Sequence, residues 1–333
     1  MFQACTSAQY SVSRRAWLAG AGALMAGALT GCGSRESDPK SLSEVTLSVW
    51  NSRTTASNFM NAAGQAEAPY AVRHAELPGG AALLNGFAAD ALDYAYMSEI
   101  VAAFAVEAGT PLKIIATFTG DVNGAGILVQ QGSDARNIKG LRGRSIAYTP
   151  ATNEHYYLLK FLELNDMGLD DVEAIGLATS DINGAFTRGH VEARVTVGGI
   201  VALLAQQQLG ARWLVRSIEA FSSGNYCMTA HEAALANPFK REAIQDYLRR
   251  ERATWDWVER HPDEWARISA QVSSVPVGLF QKLARDKSRP ASIIPSTDKV
   301  KADFQLLADD LARLGLLRQR HDTSGFWQPG LIS

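Results

Sequence analysis

Val45, Leu47 and Val49 alternate with Thr46 and Ser48, the period-two pattern of a strand with one buried face, and the residues that follow to about Ala63 read as a helix. The same order recurs with a strand at 71–75, a helix opening at Gly79-Gly80, a strand at 92–96, a helix at 99–106 and a strand at 112–118. Repeated β-then-α units predict a parallel α/β sheet. Gly120 to Gly126 holds three glycines and Asn123, which suits a crossing to a second lobe. Strands at 127–130, 144–148, 172–176, 193–197 and 212–216 follow, with helices near 153–167, 181–188 and 200–208 between them. Gly168 and Gly189 stand where helix C-caps belong. A second turn-rich run, Ser222-Ser223-Gly224, precedes a strand at 226–230 and allows the chain to cross back. Pro238, after Asn237, starts a long helix to about Arg260 with Ile244, Tyr247, Leu248, Trp255 and Val258 largely on one stripe. The remainder reads as helical to about Leu317, broken near Pro290 and Pro295, and Trp255, Trp257 and Trp265 read as packing.

Ahead of this pattern, Ser13-Arg14-Arg15 precedes an uncharged Ala/Gly/Leu-rich stretch, 16–30, too short to span a membrane comfortably, which reads as an export signal over 1–31. Its end, Leu29-Thr30-Gly31-Cys32, resembles a bacterial lipobox, with Cys32 as the lipidated residue. The paired arginines resemble a twin-arginine signal, from which Trp17 and Ala19 depart, so that route and the general one both stay open. Residues 32–43, rich in Ser, Gly, Asp and Lys with Pro39, read as a tether. Removal of 1–31 takes away two arginines and no acid, moving the net charge from −2 to −4. Of three cysteines, Cys5 is lost and Cys32 is modified, which leaves Cys227 without an intramolecular partner and reads as packing.

With 333 residues, the chain is about twice the soft prior for one domain, consistent with two lobes. A hydrophobic fraction of 47% against 20% charged excludes a disordered chain. The absence of basic excess argues against nucleic acid as a partner. The six histidines form no His-Glu-x-x-His helix, and Cys-x-x-Cys, a phosphate-binding Gly-x-x-x-x-Gly-Lys loop and a Gly-x-Ser-x-Gly elbow are all missing. Asp170-Asp171 and Asp309-Asp310 read as capping and solvated positions. The expectation is therefore no metal, no cofactor and no enzyme activity. Chemistry is offered instead at strand-to-helix junctions: Tyr148 to Asn153 ends a strand and opens a helix, so the N–H groups near Thr152 and Asn153 serve equally as an ordinary N-cap or as an anion site.

The run Gly140 to Tyr148, followed by Ala151-Thr152-Asn153-Glu154-His155-Tyr156, resembles the substrate-binding proteins of ABC importers for aliphatic sulfonates, nitrate and taurine. The likeness continues through Leu169-Asp170-Asp171-Val172 and Ala185 to Ala193. It reaches back to Leu83 to Gly86, Leu92-Asp93-Tyr94 and Ala108 to Leu112, and runs on more weakly to Leu314-Gly315-Leu316. It implies a two-lobed, type II periplasmic-binding-protein-like α/β fold that closes on ligand like a hinge. The first lobe would comprise 44–122 and, after a second lobe at 123–222, a return at 223–333. Ligand would lie at strand ends, against Trp50, Asn51, Gly79, Gly80, Ser98, Glu99, Thr149, Thr152, Asn153, His155, Val197 and Gly198. The resemblance favours the anion reading of Thr152 and Asn153. The implied partners are a small, anionic solute, an ABC permease and the membrane through a lipid on Cys32, in an exported, periplasmic or cell-surface setting. One departure stands out: Val197-Gly198-Gly199 replaces the family's frequent Trp-Asp-Pro, which predicts a wider pocket. The alternative is a pyrimidine-precursor receptor or an enzyme like the pyrimidine synthase of thiamine biosynthesis, with His74 or His155 as candidate histidine.

Overall fold

The computed structural model describes residues 38–216 and 223–332, so the stretch read as an export signal, Cys32 and the first part of the expected tether lie outside the described residues. Two sheets organise the chain. The first has six strands in the order β11-β4-β10-β3-β1-β2 and the second five, β7-β6-β8-β5-β9. In the first, β1 (Thr46–Asn51), β2 (Ala71–Glu76), β3 (Tyr94–Ser98) and β4 (Leu112–Thr119) precede the crossing, and β10 (Asn225–His231) and β11 (Ser292–Ile294) follow the return. The second contains β5 (Gly126–Val129), β6 (Ser145–Tyr148), β7 (Glu173–Gly176), β8 (Ala193–Thr196) and β9 (Arg212–Arg216). The crossings fall at the glycine-rich run 120–126 and at the turn-rich run ending in Gly224, and Gly120 N–H bonds the Gly224 carbonyl at 3.1 Å, tying one to the other. Residues 217–222 of the second crossing lie outside the described residues.

Neither sheet is purely parallel. β1 runs parallel to β2 and β3, but β10 is antiparallel to both β3 and β4, and β5 is antiparallel to β8 and β9. The reversal follows from the crossings, because a strand entering from the other lobe arrives at the end where its neighbours finish. The alternation read in β1 also fails at Ser48. Its backbone N–H donates to buried Asp93 at 2.8 Å, and its hydroxyl accepts from Arg73, so both faces of this strand are covered.

The helices are α1 (Ser57–Met60), α2 (Gly79–Ala88), α3 (Glu99–Ala108), α4 (Asn153–Glu163), α5 (Thr179–Thr187), α6 (Gly199–Leu209), α7 (Glu232–Ala236), α8 (Pro238–Arg260), α9 (Pro262–Ser273), α10 (Val277–Asp286) and α11 (Asp298–Arg313). The long helix α8 starts at Pro238, with the Asn237 side chain accepting from the N–H groups of Phe239 and Lys240. It seals one face of the first sheet with Ile244, Tyr247 and Leu248, and buries Val258 further along. Helix α1 is one turn, shorter than expected, and α4 ends at Glu163, so Gly168 is not its C-cap but precedes a short 3-10 turn. Gly189, at φ 71°, does follow the end of α5. The stretch read as wholly helical contains β11, and β3 begins two residues later than the pattern suggests. The tryptophans pack as expected: Trp255 lies against Phe118 and Phe59, Trp257 stacks on His261, and Trp265 meets Phe280 edge-on. Cys227 is buried on β10, its thiol pushed up by burial.

Candidate functional site

The cleft-side edge of the first sheet is set by register: Ser98 at the end of β3 pairs with Tyr226, and Thr119 at the end of β4 pairs with Asn225. The chain crosses from this edge to Gly126 of the second sheet, which pairs with Thr196 at the end of β8. A cavity of about 790 Å³ opens there. Its walls are the start of α3 (Glu99, Ile100), one face of α4 (Asn153, Tyr156, Tyr157, Lys160), both crossings, Arg289, and one face of α11 (Lys299, Val300, Asp303, Leu306, Leu307, Asp310).

Of the twelve residues expected at the ligand, three line this cavity: Glu99, Asn153 and Val197. The other nine occupy strand-to-helix junctions outside its lining, and most spend their polar groups on holding those junctions. The Trp50 indole N–H donates to the Leu77 carbonyl at 3.1 Å, and its ring meets Tyr96 edge-on. Asn51 Oδ1 accepts from the hydroxyls of Thr55 and Ser57, both at 2.6 Å. Gly79 and Gly80 open α2, where a Cβ on Gly80 would strike Val101 of α3, so that glycine permits close helix packing. The Ser98 hydroxyl caps α3 by accepting from Val101 N–H. Thr149 gives its N–H to Glu154 at 3.0 Å, and Thr152 caps α4 by accepting from Glu154 N–H. His155 Nδ1 accepts from Ala151 N–H at 3.3 Å, and burial lowers the imidazole's pKa. Gly198 precedes α6 as its N-cap.

The glycines that replace bulk after β8 do not leave a wider space beside Gly199. A Cβ on Gly199 would lie 2.5 Å from Leu283 of α10, and one on Gly124 would lie 2.6 Å from the Gly199 nitrogen. The crossing and Leu283 of α10 occupy the room that a side chain at Gly199 would take, which corrects the expected opening on that side. Val197 itself stays 38% exposed toward the cavity.

Electrostatics at the cavity centre on Glu99. It is only 7% exposed, accepts a hydrogen bond from the Ser223 hydroxyl, and is pushed up to about 7 by burial, with Asp303 adding to the rise and Ser223, Asn225 and Arg289 opposing it. Arg289 donates Nε to the Gly120 carbonyl at 2.7 Å and a second N–H to the Ser223 carbonyl, bracing both crossings. At the far end, Asp310 of α11 takes Lys160 and the Tyr156 hydroxyl of α4, each at 3.0 Å, and Arg313 grips Glu163 through two nitrogens at 2.6 and 3.0 Å. This ion network ties a helix packed on the second sheet to one packed on the first.

Arg289, Asp303 and Lys160 were not singled out from sequence. Arg289 and Asp303 come from a loop and a helix face of the chain's return to the first lobe, and Lys160 from the second half of α4, so none of them stands at a strand-to-helix junction. Among the described residues no group of His, Cys, Asp or Glu could hold a metal ion, and no helix is long and apolar enough to cross a membrane.

Known proteins share this architecture. A Bacillus subtilis (strain 168) protein named as an aliphatic sulfonates-binding protein is 25% identical over 241 residues, covering 70% of this chain and 71% of its own length. The alkanesulfonate-binding protein SsuA of Xanthomonas axonopodis pv. citri, solved with MOPS bound, superposes with a TM-score of 0.77 at 21% identity, over 86% of this chain and 99% of that one. The periplasmic aliphatic sulphonate binding protein SsuA of Escherichia coli gives 0.73 at 18% identity, over 86% and 94%. The desulfurization enzyme DSZB also superposes, with a TM-score of 0.62 at 16% identity over 86% and 97%, so the architecture is shared by binders and an enzyme. These likenesses establish the periplasmic-binding-protein fold that the sequence resemblance implied. A family model described as NMT1/THI5 like matches residues 72–265, more than half of the chain and elements of both sheets, and the chain belongs to that family.

Proposed function

We propose that this protein is the solute receptor of an ABC importer, exported and held at the membrane through Cys32, and that it captures a small organic anion of the sulfonate type between its two lobes. The carrying observation is the cavity at the crossings, walled by elements of both sheets and facing the first turns of α3 and α4. Closure of one lobe on the other would sequester a solute there, and helix N-termini supply unpaired N–H groups and a positive field suited to an anion. The curated relative and the structural neighbours named for sulfonate binding support the same solute class. Glu99, Asn153 and Val197 are the expected residues best placed to touch it, with Arg289 joining them.

The enzyme reading has less behind it. His74 lies on β2 in the first sheet and His155 on α4 beside the second; neither lines the cavity, and His155 has one ring nitrogen engaged by Ala151. Thermal-shift and calorimetric titration of the mature protein with pentanesulfonate, taurine, nitrate and an aminopyrimidine tests the reading. Binding of a sulfonate is expected; binding of the pyrimidine alone would reject it. The Cys32→Ala variant should lose incorporation of labelled fatty acid, and retained label would place the anchor elsewhere.

A further inference from the structure

The two lobes touch in two places of different character. At the crossings the contact is close and made by small residues, Gly124 against the Gly199 backbone and Gly199 against Leu283 of α10, which suits a pivot. Across the cavity the contact is ionic. There α4, packed on the second sheet, faces α11, which shares a core with α3 of the first lobe through Phe304, Ala308 and Leu311. Each helix brings one cation and one anion: Lys160 and Glu163 from α4, Asp310 and Arg313 from α11. Lys160 and the Tyr156 hydroxyl reach Asp310, each at 3.0 Å, and Arg313 reaches both oxygens of Glu163.

Every one of these four charges also has a partner on its own helix. Lys160 pairs with Glu163 at 2.9 Å, and Arg313 Nε donates to Asp310 at 2.9 Å. Separation of α4 from α11 would therefore leave no charge without a counter-ion, unlike the breaking of a pair sealed in a core. The cluster is also open to water, with the Glu163 and Arg313 side chains 39% and 52% exposed, so each bridge holds weakly. Hydrogen bonds from Arg313 and then Lys160 hold the Glu163 carboxyl down to about 2, which keeps it charged at neutral pH. Contacts of this kind can be made and broken at little cost.

We propose that Lys160, Glu163, Asp310 and Arg313 form a reversible latch, which holds α4 against α11 before solute arrives and so sets the fraction of receptors whose lobes are together. A solute that binds only that arrangement binds with an affinity scaled by the same fraction. Lys160 and Asp310 also line the cavity, so the latch and the capture of solute share one face of α4. The consequence for binding rests on the solute-receptor reading above, whereas the latch itself does not.

Asp310→Asn combined with Arg313→Gln removes one charge of each sign from α11, keeps the Lys160–Glu163 pair, and leaves the net charge unchanged. Asp298→Asn combined with Lys301→Gln is the control, because it removes an ion pair that lies within α11. Small-angle X-ray scattering of the mature proteins without solute reads the separation of the lobes, and thermal unfolding shows that each variant is folded. The latch variant should have a larger radius of gyration than the parent, and the control should match the parent. Glu163→Gln, made from the α4 side, should expand the protein in the same direction. Calorimetric titration with pentanesulfonate should show affinity weakened about three- to tenfold in the latch variant and unchanged in the control. Equal radii for parent and latch variant, or equal expansion in the control, overturns the latch. An expanded latch variant that binds pentanesulfonate as tightly as the parent overturns its coupling to capture. Radii as expected with no binding by the parent would leave the latch standing and remove the solute reading instead.

Discussion

Glu154 and Glu251 are both glutamates sealed from solvent, 6% and 3% exposed, one beside each sheet, and the two are accommodated in different ways. Beside the second sheet, Glu154 at the start of α4 lies 3.9 Å from the buried guanidinium of Arg194 on β8 and accepts the Thr149 N–H. Arg194 in turn donates to Asn183 of α5, so one buried network joins β6, β8, α4 and α5. Burial raises the glutamate and lowers the arginine, while each partner opposes the other's shift. Beside the first sheet, Glu251 of α8 has no ion pair among the described residues. It takes a hydrogen bond from the Tyr94 hydroxyl, and the Tyr247 hydroxyl nearby is buried without a hydrogen-bond partner. Burial pushes Glu251 up to about 7. The second sheet thus buries a charge pair that fixes the 149–154 turn carrying Asn153 to the cavity. The first buries an acid that is held best when neutral. The two lobes should respond to different perturbations: one to loss of a partner, the other to pH.

The largest effect should come from Arg194→Met, which keeps side-chain length but strips Glu154 of its cation and Asn183 of its donor. Removing one partner of a buried pair costs about 3–5 kcal/mol, most of it for the charge left behind. Urea unfolding should show a loss in that range, and Arg194→Met combined with Glu154→Gln should recover much of it. A loss under about 1 kcal/mol for the single variant would mean that the pair is only incidental to the lobe.

How far the sequence alone reaches can be judged from the same elements. Asn237-Pro238 marks the start of α8 because the cap and the proline act locally, and β9 falls on its expected residues 212–216 for the same kind of reason. The crossings were legible from glycine and serine runs. What local pattern does not carry is direction: nothing in Asn225–His231 says that β10 enters antiparallel, and a three-residue strand such as β11 is too short to show a period. The site divides along the same line. Glu99, Asn153 and Val197 could be found because each stands at a strand-to-helix junction. Arg289 and Asp303 could not, since their role depends on where the returning chain docks. The Val197-Gly198-Gly199 departure was visible but misread beside Gly199, because the contacts that fill the space, with Leu283 and Gly124, are remote in sequence.

Glu251→Gln sharpens the contrast from the other side, with a smaller and pH-dependent effect. A carboxyl near 4.5 in the unfolded chain and near 7 in the fold binds its proton more tightly when folded. Its contribution is therefore fully present below about pH 4.5 and is lost as pH rises through about 7. The most that such a shift can move stability is roughly 3 kcal/mol, reached at alkaline pH. Gln keeps an oxygen for the Tyr94 hydroxyl and has no proton to lose, so the variant should lose stability less steeply than the parent between pH 5 and pH 8. Above pH 7.5 it should equal or exceed the parent. Glu99, raised over the same range, stays in both proteins, so a residual slope is expected in the variant and only the difference belongs to Glu251. Thermal unfolding of both proteins across that range measures the difference directly. Parallel pH profiles would mean that Glu251 is ionised in the fold, and that the first lobe, like the second, has a partner for its buried charge.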